Sequence, residues 1–112
     1  MELKLIEQAF NDKYNFEKTK KNSIELLEKL ISNSHCNFLK DEEEKLPAGL
    51  KYSDLKIRYK CTNIFINNTD REFPYYRICL ELVHPRTEIQ LFYYDVDYNI
   101  QGDFSDEYFG KY

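Results

Sequence analysis

The apolar residues of this chain change their spacing once, and that change constrains the fold more than any single motif. Through the first third they recur every three or four positions, and from Leu55 onward they recur every second position. In "ELKLIEQAFNDKYNF", Leu3, Ile6, Ala9 and Phe10 make a stripe with Leu5 beside it, which predicts a helix. In "SIELLEKLISNS", Ile24, Leu27, Leu30 and Ile31 repeat the pattern with Leu26 alongside. Here Ser23 or Asn22 is placed as the N-cap, and Glu25 and Glu28 fall in the early turns. Each helix has one wet face and one apolar face, so each must lie on something apolar.

Between the two regimes, "FLKDEEEKLPAGLKYSD" joins four consecutive acids to a Pro-Ala-Gly turn and reads as a solvent-facing connection. "LKIRYKC" then alternates Leu55, Ile57, Tyr59 and Cys61 against Lys56, Arg58 and Lys60. Ile64 and Ile66 fall out of phase, which predicts a bulge near Thr62 and Asn63. "NNTDREFP" is a turn, and "YYRICLELVH" alternates Tyr76, Ile78, Leu80 and Leu82 against Arg77, Cys79 and Glu81 before a proline stops it. "EIQLFYYDV" is apolar on both sides and is expected to be an interior strand, with "IQGDF" returning as a last one. Short connections make neighbours antiparallel. The expected fold is therefore one α+β domain over residues 1–112, with two N-terminal helices on one face of a three- to four-stranded antiparallel meander. The other face is left to Arg77, Cys79 and Glu81 and, depending on register, Phe92 and Tyr94.

A chain of 112 residues with 42% hydrophobic residues can bury a core without metals or disulfides. The net charge of −4 opposes phosphate binding, which rests on Lys and Arg, so no nucleic-acid partner is expected. The same charge suits a basic protein partner. Cys36, Cys61 and Cys79 form neither an even set nor a close pair and read as reduced thiols, which implies a cytoplasmic protein. Neither an apolar leader nor a run of about 20 apolar residues is present, so no membrane contact is expected.

Chemical motifs fail on physical grounds. Asp95, Asp97 and Asn99 have the opening spacing of a calcium loop, but the bend that needs Gly falls on the β-branched Ile100 and a strand precedes the loop. The stretch is read as a hairpin in which "VDYN" turns the chain with Asn99 left-handed. His35 and Cys36 adjoin at a helix end and diverge, and His84, Cys61 and Cys79 show no converging spacing with them. No catalytic residue, metal ligand or cofactor is assigned, and an enzyme is not expected.

What remains is the C-terminal stretch "YYDVDYNIQGDFSDEYF", in which acids alternate with large rings. Tyr94, Asp95, Asp97, Tyr98, Asp103, Asp106, Glu107 and Tyr108 are the candidate partner-binding residues, because an acidic rim around amphipathic rings has the composition of an interface for a basic surface. In size, acidity, order of helices then strands, and this ending, the chain resembles the small cytoplasmic immunity proteins of bacterial contact-dependent inhibition and other polymorphic toxin systems. That resemblance implies an inhibitor which binds a cognate toxin domain, often a basic nuclease, and covers its active site or substrate surface. Helices ahead of an antiparallel sheet also resemble the cystatin-like cone of the nuclear-transport-factor-2 type, which implies a small-ligand site. A non-catalytic adaptor or homo-oligomerisation domain would use the same aromatic surface.

Overall fold

The computed structural model describes residues 2–112. Helix α1, Leu3–Tyr14, attaches by its C-terminal half only. Phe10 and Tyr14 each set their rings 4.8 Å from that of Tyr76, whereas Leu3 and Ile6, in the same stripe, stay 78% and 40% exposed. Asn15 then takes the left-handed conformation at φ 47°, a region open to Asn at low cost. This one residue ends α1 and caps α2, Phe16–Ser32, by accepting a hydrogen bond from the Lys18 amide.

Helix α2 therefore begins well before the expected caps at Asn22 and Ser23. Most of the polar run "EKTKKN" faces water, but Thr19 within it and Ser23 after it point inward, and Ser23 is fully buried. Ser23 Oγ donates to the Thr19 carbonyl at 2.9 Å and shares a 2.7 Å hydrogen bond with Tyr98 Oη, so a polar residue read as a cap instead ties helix to sheet. Leu27, one turn on, is fully buried against the sheet.

The connection from Phe38 to Asp54 is not a wet loop. It holds one α-helical turn, α3, Lys40–Glu43, and two 3-10 turns, Pro47–Gly49 and Tyr52–Asp54, and it sends Leu39, Leu46 and Tyr52 into the core. Its acids are a partial exception, since Asp41 and Glu44 face water while Glu42 and Glu43 are half-buried. Glu43 Oε2 accepts the Tyr52 amide at 3.0 Å.

Four strands follow: β1 Lys56–Phe65, β2 Tyr75–Val83, β3 Gln90–Tyr98 and β4 Phe104–Lys111. They form one antiparallel sheet in chain order, so β1 and β4 are its edges. The irregularity in β1 lies between Tyr59 and Cys61, earlier than expected. Lys60 is the extra residue, and it moves Cys61 off the Tyr59 face and brings Thr62 and Ile64 opposite Ile78 and Tyr76. The face under α2 carries Tyr76, Ile78, Leu80 and Leu82 from β2 and Phe92, Tyr94, Val96 and Tyr98 from β3, all buried. Each fully buried aliphatic chain contributes about 1.5–3 kcal/mol relative to exposure. Phe92 and Tyr94 thus belong to the core and not to the far face.

Strand β3 runs on through Tyr98, and the reversal falls at Asn99–Asp103. Asn99 Oδ1 caps the turn by accepting from the Gln101 and Asp103 amides at 3.0 Å each, while the left-handed position is Gly102 at φ 85° and not Asn99. No helix among the described residues is long and apolar enough to cross a membrane.

Candidate functional site

Among the described residues no second layer of secondary structure covers the sheet face away from α2, yet that face buries two carboxylates, Glu81 and Asp97. Along β2 it presents Arg77, Cys79 and Glu81, as the alternation requires, and opposite them along β3 it presents Asp97, Asp95 and Tyr93. Long side chains stand in for the missing layer. Asp97 is wholly buried. Its Oδ1 accepts from Arg77 Nε at 2.6 Å, and its Oδ2 accepts from Arg77 Nη2 at 3.1 Å and Arg71 Nη2 at 2.8 Å. Arg71 comes from the β1–β2 turn and lies 3.8 Å over the Tyr75 ring, while Arg77 sits between the Phe65 and Tyr108 rings at 4.9 and 5.1 Å. The hydrogen bond to the Asp97 carboxylate pushes the Arg77 pKa up, so the guanidinium keeps its charge.

Four residues along β2 from Arg77, Glu81 is 2% exposed and accepts from Arg58 Nε at 3.3 Å, from Tyr112 Oη at 2.8 Å and from Gln90 Nε2. Burial alone would raise its carboxyl pKa, but the donors Tyr112, Gln90 and Arg58 outweigh burial and hold it below the usual range. Gly110 leaves room for this arrangement, since a Cβ there would collide with the Tyr93 ring. Between the two carboxylate clusters lies a cleft of about 340 Å³ lined by Lys60, Cys61, Asn63, Cys79, Tyr93, Asp95 and Tyr112.

Asp95 occupies that cleft without an arginine of its own. Burial raises its carboxyl pKa, and the hydrogen bond with Cys79 and the charges of Arg77 and Lys60 offset this only in part, with Asp97 opposing them. A raised native pKa means the native state holds more protons than the unfolded chain between the two values. Stability therefore falls as pH rises out of the usual Asp range, and the loss persists at neutral pH. Asp95→Asn is expected to melt higher than the parent at pH 7, with the gap closing as pH approaches 4. A lower melting temperature for Asp95→Asn at pH 7 would contradict this account of the cleft.

The eight candidate residues divide. Tyr94 and Tyr98 are core residues at 0% and 4% exposure, and Asp97 is sealed by its arginines, so the structure removes these three from the surface. Tyr94 was placed outside by its register, and Asp97 and Tyr98 because the turn was expected at "VDYN", whereas β3 runs on through Tyr98. Asp95 is half-buried. Asp103, Asp106, Glu107 and Tyr108 are exposed together with Phe104, on or beside the edge strand β4. Asp106 Oδ2 accepts from Tyr108 Oη at 3.0 Å, and Glu107 accepts the buried Tyr94 hydroxyl, so the acidic edge is held in place by the face behind it. The sequence reading missed Arg71, whose position in a turn carries no periodic signal, and Tyr112, which reaches back across the face to Glu81.

The calcium spacing does not survive this geometry either, because both oxygens of Asp97 are taken by arginine. His84 serves its own turn, with Nδ1 accepting from the Arg86 and Thr87 amides at 3.1 and 3.2 Å. No protein-family model, curated protein or solved structure matches the chain.

Proposed function

We propose that the chain is a non-catalytic inhibitor of immunity type, which holds a basic protein partner, a toxin domain, against its acidic edge and covers that partner's active site or substrate surface. The observation that carries this reading is the placement of Asp103, Asp106 and Glu107 in solvent, beside Phe104 at 51% and Tyr108 at 39% exposure, on a strand that pairs on one side only. Such an edge offers three things to one partner: carboxylates that match cationic side chains, rings that fill pockets, and free backbone groups that accept another strand. Arg71 Nη2 donates to Tyr108 Oη at 3.3 Å and Tyr112 Oη donates to Glu81 at 2.8 Å, which tie this edge to the buried carboxylates behind it.

Two measurements test the proposal. The gene should stand directly downstream of a large toxin, and co-expression should rescue cells from that toxin's C-terminal domain. Against that domain, Asp103→Asn combined with Asp106→Asn is expected to bind several-fold more slowly at low salt with dissociation little changed, because exposed charges act mainly on encounter. The difference should vanish at high salt, where screening shortens to a few ångströms. Equal association rates for parent and variant at every salt concentration would remove the acidic edge from the interface.

One observation favours the small-ligand reading instead. A groove of about 740 Å³ runs between α2 and β1, with Ile24, Ile31, Leu55 and Ile57 as apolar walls and Glu28, His35 and Lys51 at the rim. A metabolite that raises the melting temperature of the isolated protein, and is displaced by substitution at Ile31 or Ile57, would move the assignment there.

A further inference from the structure

Cys61 and Cys79 lie far apart in the chain, but the bulge at Lys60 makes them register partners on β1 and β2. Directly opposed residues of an antiparallel pair point to the same face with Cα atoms about 4.5–5.5 Å apart, inside the roughly 4.4–6.8 Å span that a disulfide needs. Here that face is the open one, and both thiols line the same 340 Å³ cleft. The Asn63 amide reaches both sulfurs: Cys61 Sγ donates to its Oδ1 at 3.8 Å, and its Nδ2 donates to Cys79 Sγ at 3.6 Å. Both cysteines are free, and Cys61 is the more accessible, half-exposed against 7% for Cys79.

We propose that Cys61 and Cys79 are a dithiol site that closes into a cross-strand disulfide by exchange with a small-molecule disulfide admitted through the cleft. The Cys61 thiolate attacks one sulfur of the incoming disulfide. A mixed disulfide forms and one small thiolate leaves. Cys79 then loses its proton to solvent and attacks the Cys61 sulfur, releasing the second small thiolate. Two protein thiols are oxidised and one small disulfide is reduced to two thiols. Cys61 is the more accessible sulfur, and burial, reinforced by Asp95, pushes the Cys79 thiol pKa up, so the first exchange falls on Cys61 and Cys79 resolves it. The product staples the edge strand β1 to β2 across the open face.

The test uses the Cys36→Ser chain, which removes the exposed third thiol, and oxidised glutathione as the probe. Intact-mass analysis without reductant is expected to show loss of two hydrogens and no retained glutathione, with digestion linking the β1 peptide to the β2 peptide. Adding Cys79→Ser should halt the reaction at a stable glutathione adduct on Cys61, and adding Cys61→Ser should leave the chain almost unreacted. A second probe works without oxidation and reads proximity directly. Phenylarsine oxide, which needs two thiols within reach, should bind once per Cys36→Ser chain and be lost when either remaining cysteine is replaced. A glutathione adduct that persists while Cys79 is present, disulfide-linked dimers, or no arsenical bound would each overturn the proposal.

Discussion

Asp97→Asn is expected to destabilise the protein by about 2–4 kcal/mol, although Asn occupies nearly the same volume. Removing one partner of a buried ion pair typically costs about 3–5 kcal/mol, because the surviving charge is left uncompensated. The arginines here keep 28% and 23% side-chain exposure and recover some hydration, which sets the lower range. For a domain of this size the melting temperature should fall by about 4 °C for each kcal/mol. Adding Arg77→Gln to the variant should then cost much less than Arg77→Gln costs in the parent, since the double change removes the stranded charge as well as the bond that held it. Added salt should rescue little, because these groups are not screened as surface charges are. If Asp97→Asn melts within a degree or two of the parent, the carboxylate is behaving as a solvated side chain, and its place in the partner surface would be restored.

That outcome bears on how far the sequence could be read. The change of period at Leu55 placed the first three strands, whereas the last, read at "IQGDF", forms at Phe104–Lys111 because Asn99–Asp103 is the turn. Alternation along β2 put Arg77, Cys79 and Glu81 together on the open face, because side-chain direction in a strand follows from counting. What counting cannot supply is the strand's end. "DVDYN" holds good turn residues, but Tyr98 gains more from burial against Ser23 and Tyr76 than a turn there would give. The strand therefore continues, and Asp97 goes inside with it. The same limit put the bulge near Thr62 and Asn63 instead of at Lys60, and so hid the pairing of Cys61 and Cys79. A polar residue in the core leaves no periodic trace until its partner is known, which is why Ser23 was read as a cap, and a turn residue such as Arg71 leaves none either.

The connection from Phe38 to Asp54 is where composition misled most, and Tyr52→Ala measures by how much. Tyr52 is fully buried, with its ring centroid 5.5 Å from that of Phe92 and 6.4 Å from that of Phe109, and its hydroxyl donates to the Leu39 carbonyl at 2.9 Å. The side chain thus pins the connection to the sheet and the start of the connection to its end. Truncating a buried aromatic side chain costs about 3–5 kcal/mol, and loosening Leu39 and Leu46 along with it places Tyr52→Ala at the top of that range. Tyr52→Phe keeps the ring and strands only the Leu39 carbonyl, so about 1–2 kcal/mol is expected. Burial, then the charges of Glu42 and Glu43, push the Tyr52 phenol up to about 12 from its usual 10. The native state therefore keeps its proton longer than the unfolded chain does, and stability falls as pH rises from 10 towards 12. That alkaline decline should be shallower in Tyr52→Phe than in the parent. Urea midpoints for both variants at pH 7, with the parent and Tyr52→Phe repeated at pH 10 and above, separate ring from hydroxyl. If Tyr52→Ala costs less than about 0.5 kcal/mol, as an ordinary surface substitution would, the acids and the Pro-Ala-Gly turn do form a solvated loop.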